Sequence, residues 1–139
     1  VFGTAALRDG PEDPALYANL GTLYFRKGEY NQAADYLDLA VRGGANGDGV
    51  VVVGMPLSYD LTTIETYSRY GLALARVNDC NQAVSVANAL LSTVADNENA
   101  VYNANEVLKI CEENLLNPPT ATPAPTATIV TGPTATPQP

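Results

Sequence analysis

Over most of the first 117 positions, apolar residues recur at helical spacing, in stretches punctuated by glycine, proline and Asn/Asp pairs. Leu16, Tyr17, Leu20, Leu23 and Tyr24 share one face, which predicts a helix opening at Asp13-Pro14 and closing at Lys27-Gly28. Proline suits a first helical turn, where no intrahelical partner awaits its missing N–H, and glycine suits the left-handed residue after the last turn. A second helix is expected over 30–42, presenting Ala33, Ala34, Leu37, Ala40 and Val41 before Gly43-Gly44 stops it. The pattern resumes near Ile64 with Tyr67, Tyr70, Gly71 and Leu74. It turns at Asp79-Cys80-Asn81 and continues with Ala83, Ala87 and Leu90. A last helix over 99–114 aligns Val101, Ala104, Leu108 and Cys111.

The two hairpins repeat each other. Tyr17, Leu20, Gly21, Tyr24 and Ala33 return fifty positions later as Tyr67, Tyr70, Gly71, Leu74 and Ala83. The small residue at one offset lets two helices approach closely, and the large ones fill the space beside it. These spacings resemble the tetratricopeptide repeat, a helix–turn–helix unit of about 34 residues. In the terms of that family, Ala33 and Ala40 hold the two small positions of the second helix, with Leu37 replacing the usual aromatic between them. The second copy departs further, with Leu90 and Ala95 where alanine and proline are expected.

The resemblance implies an all-α, short helical-hairpin solenoid over 1–117: repeat 1 over 13–47, an insert over 48–63, repeat 2 over 64–97, and a capping helix over 98–117. Counting one repeat back puts Ala6 and Pro11 at the end of an earlier unit, with Phe2 and Leu7 beside Ala6. Residues 1–12 thus read either as the tail of a preceding repeat, left by a cut or completed by another copy, or as a short separate helix. Tetratricopeptide domains usually hold an extended peptide in the groove lined by the first helix of each repeat. Carrying those offsets over gives Thr22, Phe25 and Arg26, then Leu72 and Arg76, then Tyr102, Glu106 and Lys109, with Ala18, Ser68 and Ala75 completing the row. The Asn and Lys set that clamps a terminal carboxylate in chaperone-binding members is missing, so that activity is not implied.

In such a stack, Cys80 opens one helix at the edge where the next helix, carrying Cys111, ends. A disulfide between them is expected over two free thiols, and with it an oxidising compartment.

Two segments break the helical pattern. Asn46-Gly47-Asp48-Gly49 is a turn signal, and the run Val50 to Val53 favours a strand. A lone strand leaves its backbone groups unpaired, so this one must pack along the repeats, cover a helix end, or pair with another chain. Residues 118–139 hold seven Pro and seven Thr and no charge, with Ile129-Val130 as an apolar pair in the middle. Such a composition builds no core and favours an extended chain. It resembles the O-glycosylated stalks of secreted or envelope proteins in some filamentous bacteria, with Thr120, Thr122, Thr126, Thr128, Thr131, Thr134 and Thr136 as candidate acceptors; an unmodified linker is the alternative.

Charge narrows the partners. Seven Lys and Arg against 15 Asp and Glu give a net charge of −8, all of it before Pro118, which repels phosphate backbones and anionic lipid. With no histidine, imidazole acid–base chemistry and His-containing zinc sites are excluded. Two cysteines 31 positions apart make no zinc motif, and the carboxylates of Asp9, Glu12, Asp13, Asp96 and Glu98 lack calcium-loop spacing. No phosphate loop and no stretch approaching a membrane span are present. The expectation is a non-enzymatic protein–protein contact module in the envelope or outside the cell, without cofactor or metal. It assembles with its own copies into an open array or filament or, alternatively, serves as a monomeric adaptor for a partner peptide.

Overall fold

A computed structural model describes residues 10–117. The expectations for Phe2, Ala6 and Leu7 and for the threonines from Thr120 to Thr136 fall outside them. Within the described residues lie five helices and two short strands: α1 (Pro14–Arg26), α2 (Tyr30–Arg42), β1 (Gly44–Ala45), β2 (Val51–Val52), α3 (Leu61–Arg76), α4 (Cys80–Thr93) and α5 (Glu98–Leu116).

Local chemistry sets the helix ends. Asp13, Asp60 and Asn97 each accept a hydrogen bond from an orphan N–H in the first turn of α1, α3 and α5, at Ala15, Thr63 and Ala100. Gly28 and Gly43 end α1 and α2 at φ 79° and 78°. The Asp60 cap starts α3 at Leu61, ahead of the apolar pattern that begins with Ile64. Between α3 and α4 the reversal is made by Asn78, which takes φ 63°, so Cys80 already lies in the helix rather than in the turn. Asparagine tolerates that left-handed conformation better than most residues.

Each helix packs on the next, and α3 also touches α1 and α5. Short connections dictate this order. The core runs from Ala33 and Leu37 through Tyr70, Ala73, Ala83 and Leu90 to Val94, Ala100, Ala104 and Val107. Alanine is frequent there because the helix axes come close. At Gly21 a Cβ would stand 2.5 Å from Cγ of Leu37, whereas at Gly71 the nearest atoms, on Val107 and Val86, would be 3.3 Å away. The repeated glycine is thus a tight contact in the first hairpin and a loose one in the second.

The valine run finds a partner that its sequence does not announce. β2 pairs antiparallel with Gly44–Ala45, so a two-stranded hairpin begins inside the stretch assigned to repeat 1. It lies over the end of α2, where Met55 N–H donates to Ala40 O at 2.9 Å. Val52 turns inward and is 2% exposed in a small second cluster with Tyr17, Ala18 and Ala40. Asn46 organises the loop: its Oδ1 accepts from the N–H of Asp48 and Val50, and its Nδ2 donates to Tyr17 Oη at 2.9 Å. Tyr17 Oη in turn donates to Pro11 O at 2.6 Å. These bonds tie the insert to the start of the fold.

Candidate functional site

Along one side of the molecule, α1 and α3 flank a depression of about 590 Å³ whose lining includes Thr22, Arg26, Thr62, Glu65, Thr66 and Arg69. It continues into a smaller one of about 280 Å³ between α3, α5 and Phe25, lined also by Glu65, Ser68, Arg69, Leu72, Asn99 and Asn103. Glu65 and Arg69 belong to both, and they pair at 3.7 Å along α3. The two hollows therefore make one furrow, and Thr22, Phe25, Arg26 and Leu72 of the expected groove residues lie on it.

Ala18 and Ser68 of the expected row lie on it too, whereas Ala75, Arg76, Tyr102, Glu106 and Lys109 do not line these hollows. Arg76 and Lys109 are exposed, Glu106 is half-buried, and Tyr102 is 65% exposed. The reason is positional. Ala18, Ser68 and Tyr102 occupy equivalent places on α1, α3 and α5, and α5 covers Ser68. No described helix follows α5, so the place held by Tyr102 stays open. Asn105 is exposed for the same reason, although the equivalent Gly21 and Gly71 are buried against the helices that follow them. On α5 the furrow is served instead by Asn99 and Asn103, one helical turn apart, which the offsets did not single out.

Ser68 is 3% exposed and its Oγ has no hydrogen-bond partner among the described residues. A buried hydroxyl left unpaired costs about 1–3 kcal/mol. Two amide side chains and an ion pair around Phe25 and Leu72 are the polar groups that the furrow presents, and they suit an extended main chain, which offers both N–H and C=O.

The opposite side carries a polar network joining α2, α3 and α4. Tyr70 Oη donates to Asp38 Oδ1 at 2.5 Å, Arg42 donates to Gln82 Oε1 at 2.7 Å, and Gln82 donates to Asp79 Oδ2 at 2.9 Å. Burial, then the hydrogen bond and charge of Asp38, push the Tyr70 phenol well above its ordinary range. Burial also raises Tyr67, whose hydroxyl donates to Met55 O at 2.8 Å. The network locks three helices together around a neutral phenol.

Apolar side chains stand exposed in two stretches of the chain. Val51 and Val53, 67% and 71% exposed, precede α3 in sequence, with Tyr59 and Leu61 at its start. Leu115 and Leu116, 80% and 72% exposed, end α5; Asn114 Nδ2 fixes that part of α5 by donating to Ala75 O at 3.4 Å.

Cys80 and Cys111 are joined in a disulfide, with Cα atoms 5.7 Å apart, linking the first turn of α4 to the last turns of α5. Among the described residues, no group of three or more His, Cys, Asp and Glu is placed to hold a metal ion, and no helix is long and apolar enough to cross a membrane. Compared with known proteins, the chain matches no family model, no curated protein and no solved structure.

Proposed function

We propose that this chain is a structural, protein–protein interaction module of tetratricopeptide type that works outside the cytoplasm and assembles with its own copies into an open array or filament. One observation carries this reading: two separate sets of exposed apolar side chains, Val51, Val53, Tyr59 and Leu61 before and at the start of α3, and Leu115 and Leu116 at the end of α5. Exposed apolar patches mark contact surfaces. When a patch meets a different patch on the next molecule, the contact is head-to-tail, and unless the rotation closes a ring the product is an open filament. The disulfide supports the extracytoplasmic part, because such links persist in oxidising compartments. The threonine- and proline-rich residues 118–139 suit the same setting, as a stalk with glycan acceptors. The test is light scattering and negative-stain microscopy on the intact chain across a concentration series. Elongated particles that grow with concentration are expected. A monodisperse monomer at every concentration overturns the reading.

The furrow favours a second reading. The amide side chains of Asn99 and Asn103 beside the Glu65–Arg69 pair fit an adaptor that binds the extended segment of another protein there. Under this reading, Asn99→Ala with Asn103→Ala abolishes capture of that segment and leaves the size of the free protein unchanged.

A further inference from the structure

β2 is an edge strand left open. The hydrogen bond from Asn46 N–H to Val50 O, 2.9 Å, fixes the hairpin register together with the pairing of Gly44 to Val52. Antiparallel pairs alternate between bonded and non-bonded. The N–H and C=O of Val52 therefore face β1, while those of Val51 and Val53 point to the other side. No described residue pairs with them. Their side chains share the outward face of the hairpin, and Val52 fills the inner one. Natural edge strands are guarded by lysine, proline, a bulge or, as in the two-residue β2, by being short; lysine, proline and a bulge are the guards that stop a ladder from being extended. Val50 to Val53 carry none of these guards.

The chemistry of this edge selects its occupant. The folded part of a second copy brings the same net charge of −8, which opposes close approach. A neutral segment avoids that penalty, and residues 118–139 carry no charge. Within them, Thr126-Ala127-Thr128-Ile129-Val130-Thr131 is the run free of proline that is longest and richest in β-branched residues, bounded by Pro125 and by Gly132-Pro133. Every residue of it keeps the N–H that a ladder needs, and five of the six are β-branched.

Geometry favours another molecule as the donor. α5 ends beside Ala75, whereas the insert meets α3 at Tyr67, through Met55. The way back covers roughly 12 Å along α3 at 1.5 Å per residue. It then crosses toward α2 and α1 at about 8–10 Å per helix. The linker from Asn117 to Thr126 spans at most about 30 Å when fully extended. A return path around the molecular surface uses all of that reach, while the edge of a neighbouring copy has no such constraint.

We propose that the outer edge of β2 receives Thr126–Thr131 of a second copy as an added strand, so that each molecule donates one strand and accepts another. This inference rests on the self-assembly reading above and supplies its contact.

The test uses two full-length variants. Val51→Lys with Val53→Lys charges the edge at exposed positions and leaves Val52 and its cluster untouched. Ile129→Pro with Val130→Pro removes two N–H groups from the donor segment. Far-UV circular dichroism checks that both retain the wild-type helix content. Each variant alone is expected to be monomeric by light scattering. An equimolar mixture is expected to give dimers and nothing larger, because one donor and one edge remain intact and cannot propagate. If the mixture stays monomeric, or if either variant assembles like the wild type, the strand-donation inference falls while self-assembly of the wild type stands. If the wild type itself is monomeric, both proposals fall together.

Discussion

Gly21→Ala and Gly71→Ala make the same chemical change at the same place in the two hairpins, and the structure expects opposite results. Alanine gains about 1 kcal/mol over glycine in a helix interior. At Gly71 the new methyl would sit 3.3 Å from Val107 Cγ2 and Val86 Cγ1, contacts that small side-chain shifts relieve. Gly71→Ala should be neutral or more stable by up to about 1 kcal/mol. At Gly21 the methyl would lie 2.5 and 2.7 Å from Cγ and Cδ2 of Leu37 and 3.2 Å from its backbone N. Leu37 is fully buried, so it has no space to retreat into and α1 must move off α2. Overpacking of this kind costs about 1–3 kcal/mol. The 2.5 Å approach to a fully buried side chain belongs to the upper part of that range, about 2–3 kcal/mol. After the propensity gain of about 1 kcal/mol, Gly21→Ala should lose about 1–2 kcal/mol, or roughly 4–15 °C in Tm for a domain of this size. Urea denaturation followed by far-UV circular dichroism measures both variants. Leu37→Ala itself should cost about 2–5 kcal/mol, but in that background Gly21→Ala should cost less than it does in the wild type, because the atoms in collision are gone. A Gly21→Ala protein as stable as the wild type, or a Gly71→Ala protein destabilised to the same degree, would refute the close-approach account.

Replacing Cys80 and Cys111 together by alanine should cost about 3–4 kcal/mol, the loop entropy of a link closing a sequence separation of 31; a loss below about 1 kcal/mol in guanidinium unfolding would mean that the bridge constrains little. Stability should also fall in alkali through Tyr70. Its folded phenol is held above the ordinary value near 10 by burial and by Asp38, so the stabilisation is complete below pH 10 and is lost as the pH climbs toward the folded value. Tyr70→Phe should flatten that decline, and parallel curves for the two proteins between pH 9 and 11 count against it.

What the sequence disclosed, and what it withheld, follows the range of the interactions. Asp13-Pro14 and Lys27-Gly28 mark helix ends because a cap is a contact between near neighbours in the chain. The recurring Gly21 and Gly71 were legible as small positions, but their unequal tightness depends on Leu37 and on Val86 and Val107, which belong to other helices. The turn at Asn78 was misplaced because Asp79 and Asn81 are equally good turn formers, and only the backbone conformation separates them. The partner of the valine run stayed hidden, since Gly44–Ala45 has no strand propensity and pairs only because the Asn46 loop folds it back. Thr22, Phe25 and Arg26 on α1 and Leu72 on α3, singled out by the repeat offsets, line the furrow. The offsets do not reach Asn99 and Asn103, which line the furrow on α5, and Tyr102 is exposed because no described helix follows α5. The unpaired hydroxyl of Ser68 leaves no trace in sequence, for it is a property of everything around it.

The disulfide also decides how the fold bears tension. A pull on residues beyond Asn117 enters through the last turn of α5 and soon meets Cys111, which hands the force across a covalent bond to Cys80 at the head of α4. Only the short stretch after Cys111 can peel away like a zipper. Beyond it, α4 and α5 must slide or detach as a unit, breaking many contacts at once rather than one turn at a time. Reduction turns the same pull into sequential unravelling of α5 from its end. A single-molecule stretching record should therefore show one high, abrupt rupture when the thiols are oxidised and a low, gradual extension when they are reduced.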